Sequence, residues 1–296
     1  MFKKVVIAGV GLIGGSLGLA LTKRKLAEEV VGVDPDQDNL RLAVQLGAVR
    51  RAEVLAEAVP AADLLILATP IGVTLGVLEM ALPYLTPGTV ITDVGSVKGR
   101  LVERAEAMLP AGVHFVGGHP MAGREVAGVA GAREDLFDGA SYILTPTPST
   151  DAAALARLKL LVRALGARPV ELGCREHDGA VALISHLPHL LAATLVNTVA
   201  GEHTEELLLK LAGGGFRDTT RIAASNPAMW RDILLTNREM VLEAVQKFRQ
   251  QLEHMEQSIR DFNREELVQS LERARDTREA LPENRKHVLC EKLQRR

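Results

Sequence analysis

Cysteine, aromatic residues and net charge are all scarce in this chain of 296 residues. Cys174 and Cys290 are its 2 cysteines, too few for a disulfide framework, which predicts a reducing, cytoplasmic setting. Aromatics make up 3% of the residues and tryptophan occurs once, at Trp230, so the core must be built from Leu, Ala and Val. The formal net charge of −2 leaves no basic surplus to meet phosphates, which argues against nucleic acid as a partner. Long uninterrupted apolar runs are also missing, so no membrane span is expected. Lys3-Lys4 and the apolar stretch after them look like a signal peptide only superficially. Gly9, Gly11, Gly14 and Gly15 interrupt that stretch, and Lys23-Arg24-Lys25 closes it. There are no internal repeats and no low-complexity segments. The length allows two domains, each with its own core.

The first half is built of short apolar runs separated by glycine breaks and helix-period segments. Lys3–Ala8 reads as a strand, followed by Gly9-Val10-Gly11-Leu12-Ile13-Gly14-Gly15-Ser16, a helix to about Thr22, and a second strand, Val30–Val33, ending at Asp34. That order of strand, tight glycine turn, helix and strand is the context a dinucleotide fingerprint requires. Gly9 allows the turn, Gly11 admits the pyrophosphate, and Gly14 lets helix and strand pack closely. The amides of Leu12 and Ile13 open the helix, where a phosphate is favoured. Asp34 lies about 20 residues beyond Gly14, where a carboxylate can accept ribose hydroxyls and repel a 2′-phosphate. NAD is therefore expected over NADP. Further strands are expected at Leu64–Ala68, ending in Thr69-Pro70 beside the cofactor with Pro70 opening the next helix, and at Thr89–Val94 and Val113–Gly117. Ser141–Thr145 and Arg168–Leu172 follow, with a helix over Thr150–Leu165 between them. This alternation implies an α/β fold with a mostly parallel, doubly wound sheet. A TIM barrel is excluded, because the fingerprint opens the chain and the alternation stops near Gly173.

From Arg175 onward only helix-period segments remain, at about 176–200, 203–212, 227–260 and 264–280. The expected domains are residues 1–173, binding NAD, and 174–296, all-helical. Leu234, Met240, Leu242, Val245, Phe248, Leu252, Met255 and Ile259 recur at mostly three- and four-residue spacings. In a small helical domain such a stripe suits a subunit interface better than a core. The charged tail from Pro282 to Arg296 is expected to be peripheral.

Candidate chemistry gathers in a few places. Asp93-Val94-Gly95-Ser96-Val97-Lys98 and Gly117-Gly118-His119-Pro120-Met121-Ala122-Gly123-Arg124-Glu125 each follow a β-branched run. Ligands of open α/β sheets sit outside the carboxyl ends of the strands, so Ser96 and His119 should reach one rim and handle protons beside the cofactor. The plainer reading makes Ser96 the cap of a helix beginning near Val97, and His119 a turn residue before Pro120. In the helical half, Ser185 and His189 share a face in Ser185-His186-Leu187-Pro188-His189, where Pro188 should bend the helix. Gly213-Gly214-Gly215 breaks a helix ahead of Arg217, Asp218 and Arg221. The two arginines suit bidentate capture of carboxylates, though a solvated turn is the simpler account. Asn226 and Pro227 then read as N-cap and first helical residue, shortly before Trp230.

Taken together, Gly9–Ser16, Asp93–Lys98, Gly117–Glu125, Ser185–His189 and Gly213–Arg221, in this order and spacing, resemble the prephenate/arogenate dehydrogenase family of tyrosine biosynthesis. The resemblance runs from residue 1 to about residue 280 and rests chiefly on G-G-H-P-M-A-G and S-H-L-P-H. It implies an N-terminal Rossmann-type domain, an all-helical dimerisation domain forming a homodimer, and NAD(P)-dependent oxidative decarboxylation of prephenate to 4-hydroxyphenylpyruvate, with NAD the cofactor expected from Asp34. No metal is implied. The same resemblance makes His119 the base, and Ser96 the serine that hydrogen-bonds the substrate hydroxyl and helps align the nicotinamide. Arg221 becomes the ligand of the ring carboxylate. His189, Ser185 and His186 become pocket residues near the pyruvyl side chain. Arg217, Asp218, Glu125 and Trp230 fall around the pocket entrance, where a partner subunit contributes. No regulatory ACT domain or fused chorismate mutase is recognisable.

Competing expectations remain open. An arogenate or dual-specificity cyclohexadienyl dehydrogenase would share every motif, since arogenate differs from prephenate by an amino group in place of a keto group. β-Hydroxyacid and 6-phosphogluconate-type dehydrogenases share the plan but rely on a lysine in the helical domain, and Ser185–His189 contains none. A non-catalytic NAD sensor would have no need of His119, Ser96 and Arg221 together.

Overall fold

The computed structural model describes residues 1–124 and 126–281. Glu125, expected at the pocket entrance, and the 282–296 tail lie outside the described residues. The first half alternates as expected. β1 (Phe2–Ala8) passes through the glycine turn into α1 (Leu12–Lys23), followed by β2 (Ala27–Val33) and α2 (Gln37–Gln45). A short β3 (Arg51–Ala52), α3 (Leu55–Ala58), β4 (Leu64–Leu67) and α4 (Ile71–Ala81) come next. β5 (Val90–Asp93), α5 (Gly99–Met108), β6 (His114–Pro120), β7 (Ser141–Thr145), α6 (Ala152–Ala164) and β8 (Arg168–Glu171) complete this half.

The strands form one sheet in the order β3-β2-β1-β4-β5-β6-β7-β8. β6 and β7 pair antiparallel, and the neighbours on either side pair parallel. β4 and β5 are buried at every position, as expected where helices cover both faces. Val5, Ile7, Leu64 and Ile66 belong to one apolar cluster, and Val6, Ala8, Leu65 and Leu67 to another. Alternate residues of each strand therefore feed opposite faces, each wholly buried Leu or Ile contributing about 1.5–3 kcal/mol. β1 lies between β2 and β4. The strand order reverses there, which opens the crevice in which such sheets take their ligands.

The helical half comprises α7 (Cys174–Val181), a π-helical turn (Ala182–His186), α8 (Leu187–Ala200), α9 (Glu205–Leu211) and α10 (Gly214–Thr220). A 3-10 turn (Arg221–Ala224), α11 (Pro227–Thr236), α12 (Arg238–Arg260) and α13 (Arg264–Glu279) follow. By compactness the chain divides into Met1–Leu242 and Glu243–Arg296. Within the second unit His254 Nε2 lies 2.8 Å from Glu266 Oε1.

Several local expectations need correction. Pro70 is the N-cap of α4, one position earlier than expected. α5 begins at Gly99 with Lys98 as N-cap, so Ser96 is not its cap. His119 belongs to β6 and not to a turn. Pro188 does not interrupt its helix: Leu187 N–H reaches back to Ala182 O, five residues earlier, and this widened turn accommodates the missing donor of Pro188. The result is a helical run over Cys174–Ala200, 27 residues containing an 18-residue window of mean hydropathy 1.6, long and apolar enough by length and composition to cross a membrane. The expectation that nothing reached that length was therefore wrong. The buried side of this run carries His177, Asp178, His186 and His189. The glycines at 213–215 start α10, with Gly213 as N-cap, where only a break was expected. The 227–260 segment is two helices, because Asn237 ends α11.

Candidate active site

The glycine turn is shaped by close contact. Gly9 sits at φ +92°, and a Cβ at Gly14 would lie 1.9 Å from Gly9 O, so neither position tolerates a side chain. A Cβ at Gly11 would meet nothing within 4 Å. Gly11 is also the N-cap of α1, and as a glycine it offers the first amides of the helix no side-chain cap. Asp34 Oδ2 accepts from Val10 N–H at 2.8 Å, and Asp34 Oδ1 from Asp36 N–H at 3.0 Å. The carboxylate thus ties the end of β2 to the turn and keeps lone pairs for further donors. Asn39, not anticipated, donates to Val10 O at 2.8 Å and accepts from Val129 N–H at 3.0 Å, fixing the turn from the other side. Thr69 and Thr74 hydroxyls meet at 3.1 Å after β4. An open helix N-terminus beside a carboxylate at the end of β2 fits a dinucleotide.

Strands β5 and β6 run parallel, Thr92 beside Val116, so Ser96 and His119 leave the sheet at the same rim. Beneath them Asp93 and Lys98 form an ion pair in which both side chains are essentially buried. Lys98 Nζ also donates to Gly118 O at 2.8 Å, while Asp93 accepts from Gly95 N–H at 2.8 Å and Gly118 N–H at 3.1 Å. The pair therefore locks the loop carrying Ser96 to the strand carrying His119. Burial lowers the Lys98 pKa, and Asp93 opposes that shift.

His119 Nδ1 lies 2.8 Å from His177 Nε2, and His177 Nδ1 lies 2.8 Å from Asp178 Oδ1. Burial, and then the Lys98 ammonium, hold the His119 pKa well below the ordinary histidine value; charge on His177 or His186 would act in the same direction. His119 is therefore neutral at pH 7. Asp178 O accepts from Asn237 Nδ2 at 2.9 Å, and the same amide nitrogen is 3.1 Å from His186 Nδ1. A backbone carbonyl can only accept, so the Asn237 NH2 faces both groups, and His186 must accept at Nδ1 and carry its proton on Nε2. Burial pushes the His186 pKa down to about 4, which keeps it a neutral donor.

That donor has no partner among the described residues, and neither do His189 Nδ1 or Trp230 Nε1, although all are buried. The His189 and Trp230 rings stack at 3.6 Å and 6°, and the His186 ring stands edge-on to the same indole at 6.1 Å. Leaving such polar atoms unsatisfied costs about 1–3 kcal/mol each, so their gathering on one indole marks a place for a polar ligand. Of the expected site residues, His119, His186, His189 and Trp230 thus belong to one continuous run through His177, Asp178 and Asn237. Ser185 is half-buried on the π turn. Arg217 and Arg221 are exposed, on α10 and at the start of the 3-10 turn, both of which pack on α8. Asp218 is exposed on α10.

His177, Asp178, Asn237 and a role for Lys98 were missed. Arg175-Glu176-His177-Asp178 reads as the ordinary polar start of a helix, and Asn237 falls mid-segment in a long helical pattern. The one available signal was a His-Asp pair leading into an apolar helix.

A doubly wound sheet with an open glycine turn, joined to helices that bring histidines to its rim, defines a nucleotide-binding oxidoreductase. Residues 17–171 match the family model described as the prephenate dehydrogenase nucleotide-binding domain, and residues 174–273 match its dimerization domain. The chain belongs to the prephenate dehydrogenase family. It is 41% identical over 288 residues to a prephenate dehydrogenase of Bacillus subtilis, covering 96% of this chain and 78% of that protein. Among solved structures, A. aeolicus prephenate dehydrogenase in complex with hydroxyphenyl propionate and NAD+ superposes with a TM-score of 0.90 at 34% identity, covering 95% of this chain and 99% of that one. Synechocystis arogenate dehydrogenase gives 0.82 at 36% identity, covering 94% and 99%.

Proposed function

We propose that the chain is an NAD-dependent prephenate dehydrogenase, converting prephenate to 4-hydroxyphenylpyruvate and CO2 in the cytoplasm. The observation that carries this reading is the run of buried imidazoles ending in unpartnered polar atoms on Trp230. The Gly9–Gly14 turn and Asp34 would hold NAD, which would supply the hydride acceptor. Leu12 and Ile13 would offer it their amides, and Thr69 and Pro70 after β4 would border it. His119 takes the proton of the 4-hydroxyl as the hydride leaves the same ring carbon, and Ser96 hydrogen-bonds that oxygen. Loss of CO2 from the opposite carbon returns an electron pair to the ring, and the new phenolate oxygen can recover the proton from His119. Aromatisation drives the step. Arg221 holds the ring carboxylate, while His186, His189 and Ser185 receive the pyruvyl side chain against Trp230. Arg217 borders the entrance.

The division of labour falls at residue 173: residues 1–173 bind NAD, and 174–296 supply the substrate contacts and a homodimer interface. In support, Leu209, Leu211, Leu235, Leu252 and Ile259 are large apolar side chains left exposed on the helices. The likeness to an arogenate dehydrogenase makes arogenate the second substrate to assay. The test is NADH formation with purified protein, NAD and either substrate, for wild type and His119→Asn. Prephenate turnover is expected, with kcat at least tenfold lower in the variant, about 1.4 kcal/mol on the barrier, and an unchanged affinity for NAD. A variant retaining more than about a tenth of kcat would remove His119 as the base.

A further inference from the structure

Donors and acceptors around Asp178 impose one order on the protons of three adjoining side chains. Asp178 Oδ1 accepts the Lys98 N–H and Oδ2 the Gly99 N–H, both at 2.8 Å. These amides open α5, so the carboxylate lies where a helix favours negative charge. Its Oδ1 also faces His177 Nδ1, and an ionised carboxylate only accepts, so His177 Nδ1 carries a proton. With its single proton on Nδ1, the ring can accept only at Nε2, which faces His119 Nδ1. His119 must donate there, and its lone pair is left on Nε2. The reverse order would put a second proton on His177, a ring with no solvent exposure.

We propose that His177 and Asp178 are positioning residues that hold His119 in the tautomer whose Nε2 is the proton acceptor, and that stabilise the ring once the proton arrives. This rests on the reading of His119 as the base. It goes further by naming the reactive nitrogen and the side chains that select it. When His119 Nε2 takes a proton, the charge is shared along a hydrogen-bonded line ending on the Asp178 carboxylate, with no rearrangement of neighbours. The charged and titratable groups around His119 are Asp93 and Lys98 from the β5–α5 segment, His177 and Asp178 from α7, and His186 from the π turn. Of these, the His177–Asp178 line is the part that contacts Nδ1.

The test compares full-length wild type, His177→Phe and His177→Gln. Phenylalanine fills the space and breaks the line. Glutamine can restore it, with its amide NH2 donating to Asp178 and its amide oxygen accepting from His119. In His177→Phe kcat is expected to fall about 100-fold or more, within the range for a mis-set general base, while KM for prephenate and NAD stays within about threefold. The acid limb of the kcat profile should move to lower pH, because the His119 imidazolium loses its acceptor. His177→Gln should keep kcat within about tenfold of wild type and leave the limb near its place. A packing role alone would lower the yield of folded enzyme without moving the limb. The proposal is overturned if His177→Phe retains kcat within about threefold, or if Gln and Phe are equally impaired with an unmoved limb. Nitrogen-15 NMR of the histidines in the substrate-free protein supplies the second readout. His119 should carry its proton on Nδ1 in wild type, and a proton on Nε2 would refute the proposal even in an active enzyme. Since this signal needs no turnover, a wild type inactive on prephenate would sink the assigned reaction and leave the tautomer question decided separately.

Discussion

Acidification should unfold this protein through its histidines, and His186 sets the size of the effect. Its pKa is pushed from 6.5 to about 4 by burial, and Asn237 presents an NH2 group to Nδ1, a position that must stay unprotonated. The unfolded chain therefore binds a proton more readily than the folded one throughout that interval. Stability contributed by the neutral ring is fully present above pH 6.5 and drains away as pH falls toward 4. Integrating one group over that window gives about 3 kcal/mol lost at pH 4. His119 and His189, also lowered by burial, act in the same direction. The assay is urea unfolding of wild type and His186→Gln by circular dichroism at steps from pH 7 to pH 4. Glutamine can accept the Asn237 hydrogen bond through its amide oxygen and has no proton to gain. Comparing the two proteins cancels the titration of every shared group. The wild type should lose about 2–3 kcal/mol more than the variant across the window. Parallel curves would refute the argument that His186 is buried in its neutral form.

Other expectations are quickly tested. Asp34→Ser should relax the preference for NAD over NADP and loosen the glycine turn, since Val10 N–H loses its acceptor; an unaltered ratio in steady-state kinetics would count against the ribose contact. Arg221→Gln should raise KM for prephenate by tenfold or more, in line with about 1.5–3 kcal/mol for a hydrogen bond to a charged group, and an unchanged KM would remove Arg221 from the carboxylate role.

The sheet was legible in the sequence because strands covered on both faces are written as unbroken apolar runs. Leu64–Leu67 and Val90–Asp93 could hardly be anything else, and Ser141–Thr145 matches its expected bounds. The Asn226-Pro227 helix start was equally plain, because capping is local chemistry, and Asn226 Oδ1 accepts from Ala228 and Met229 N–H. What could not be read depends on partners distant in sequence. The Asp178 carboxylate holds amides about 80 positions earlier, and His177 meets His119 across a separation of 58. A helix start rich in polar residues gives no hint of either. Pro188 misled for a related reason: proline announces a break, and whether a π turn absorbs it is settled by the packing around His186.

Lys98 joins stability to chemistry most directly, and its removal should shift the pH profile in the opposite sense to loss of His177. Its ammonium is buried against Asp93 and Gly118 O and helps hold His119 neutral. Lys98→Met leaves Asp93 buried without its cation, though still hydrogen-bonded by the Gly95 and Gly118 amides. Breaking a buried pair on one side costs about 3–5 kcal/mol, and the two remaining amides place the expected loss at the lower end. The same change removes a positive charge near His119 and exposes that ring to a bare carboxylate, so its pKa must rise. The acid limb of kcat should therefore shift to higher pH in Lys98→Met and to lower pH in His177→Phe, although both variants are impaired. Damage from misfolding alone has no reason to push a pH profile in opposite directions. A limb that stays fixed, or moves downward, in folded Lys98→Met would mean that the base titrating in that profile is not the imidazole above this ion pair.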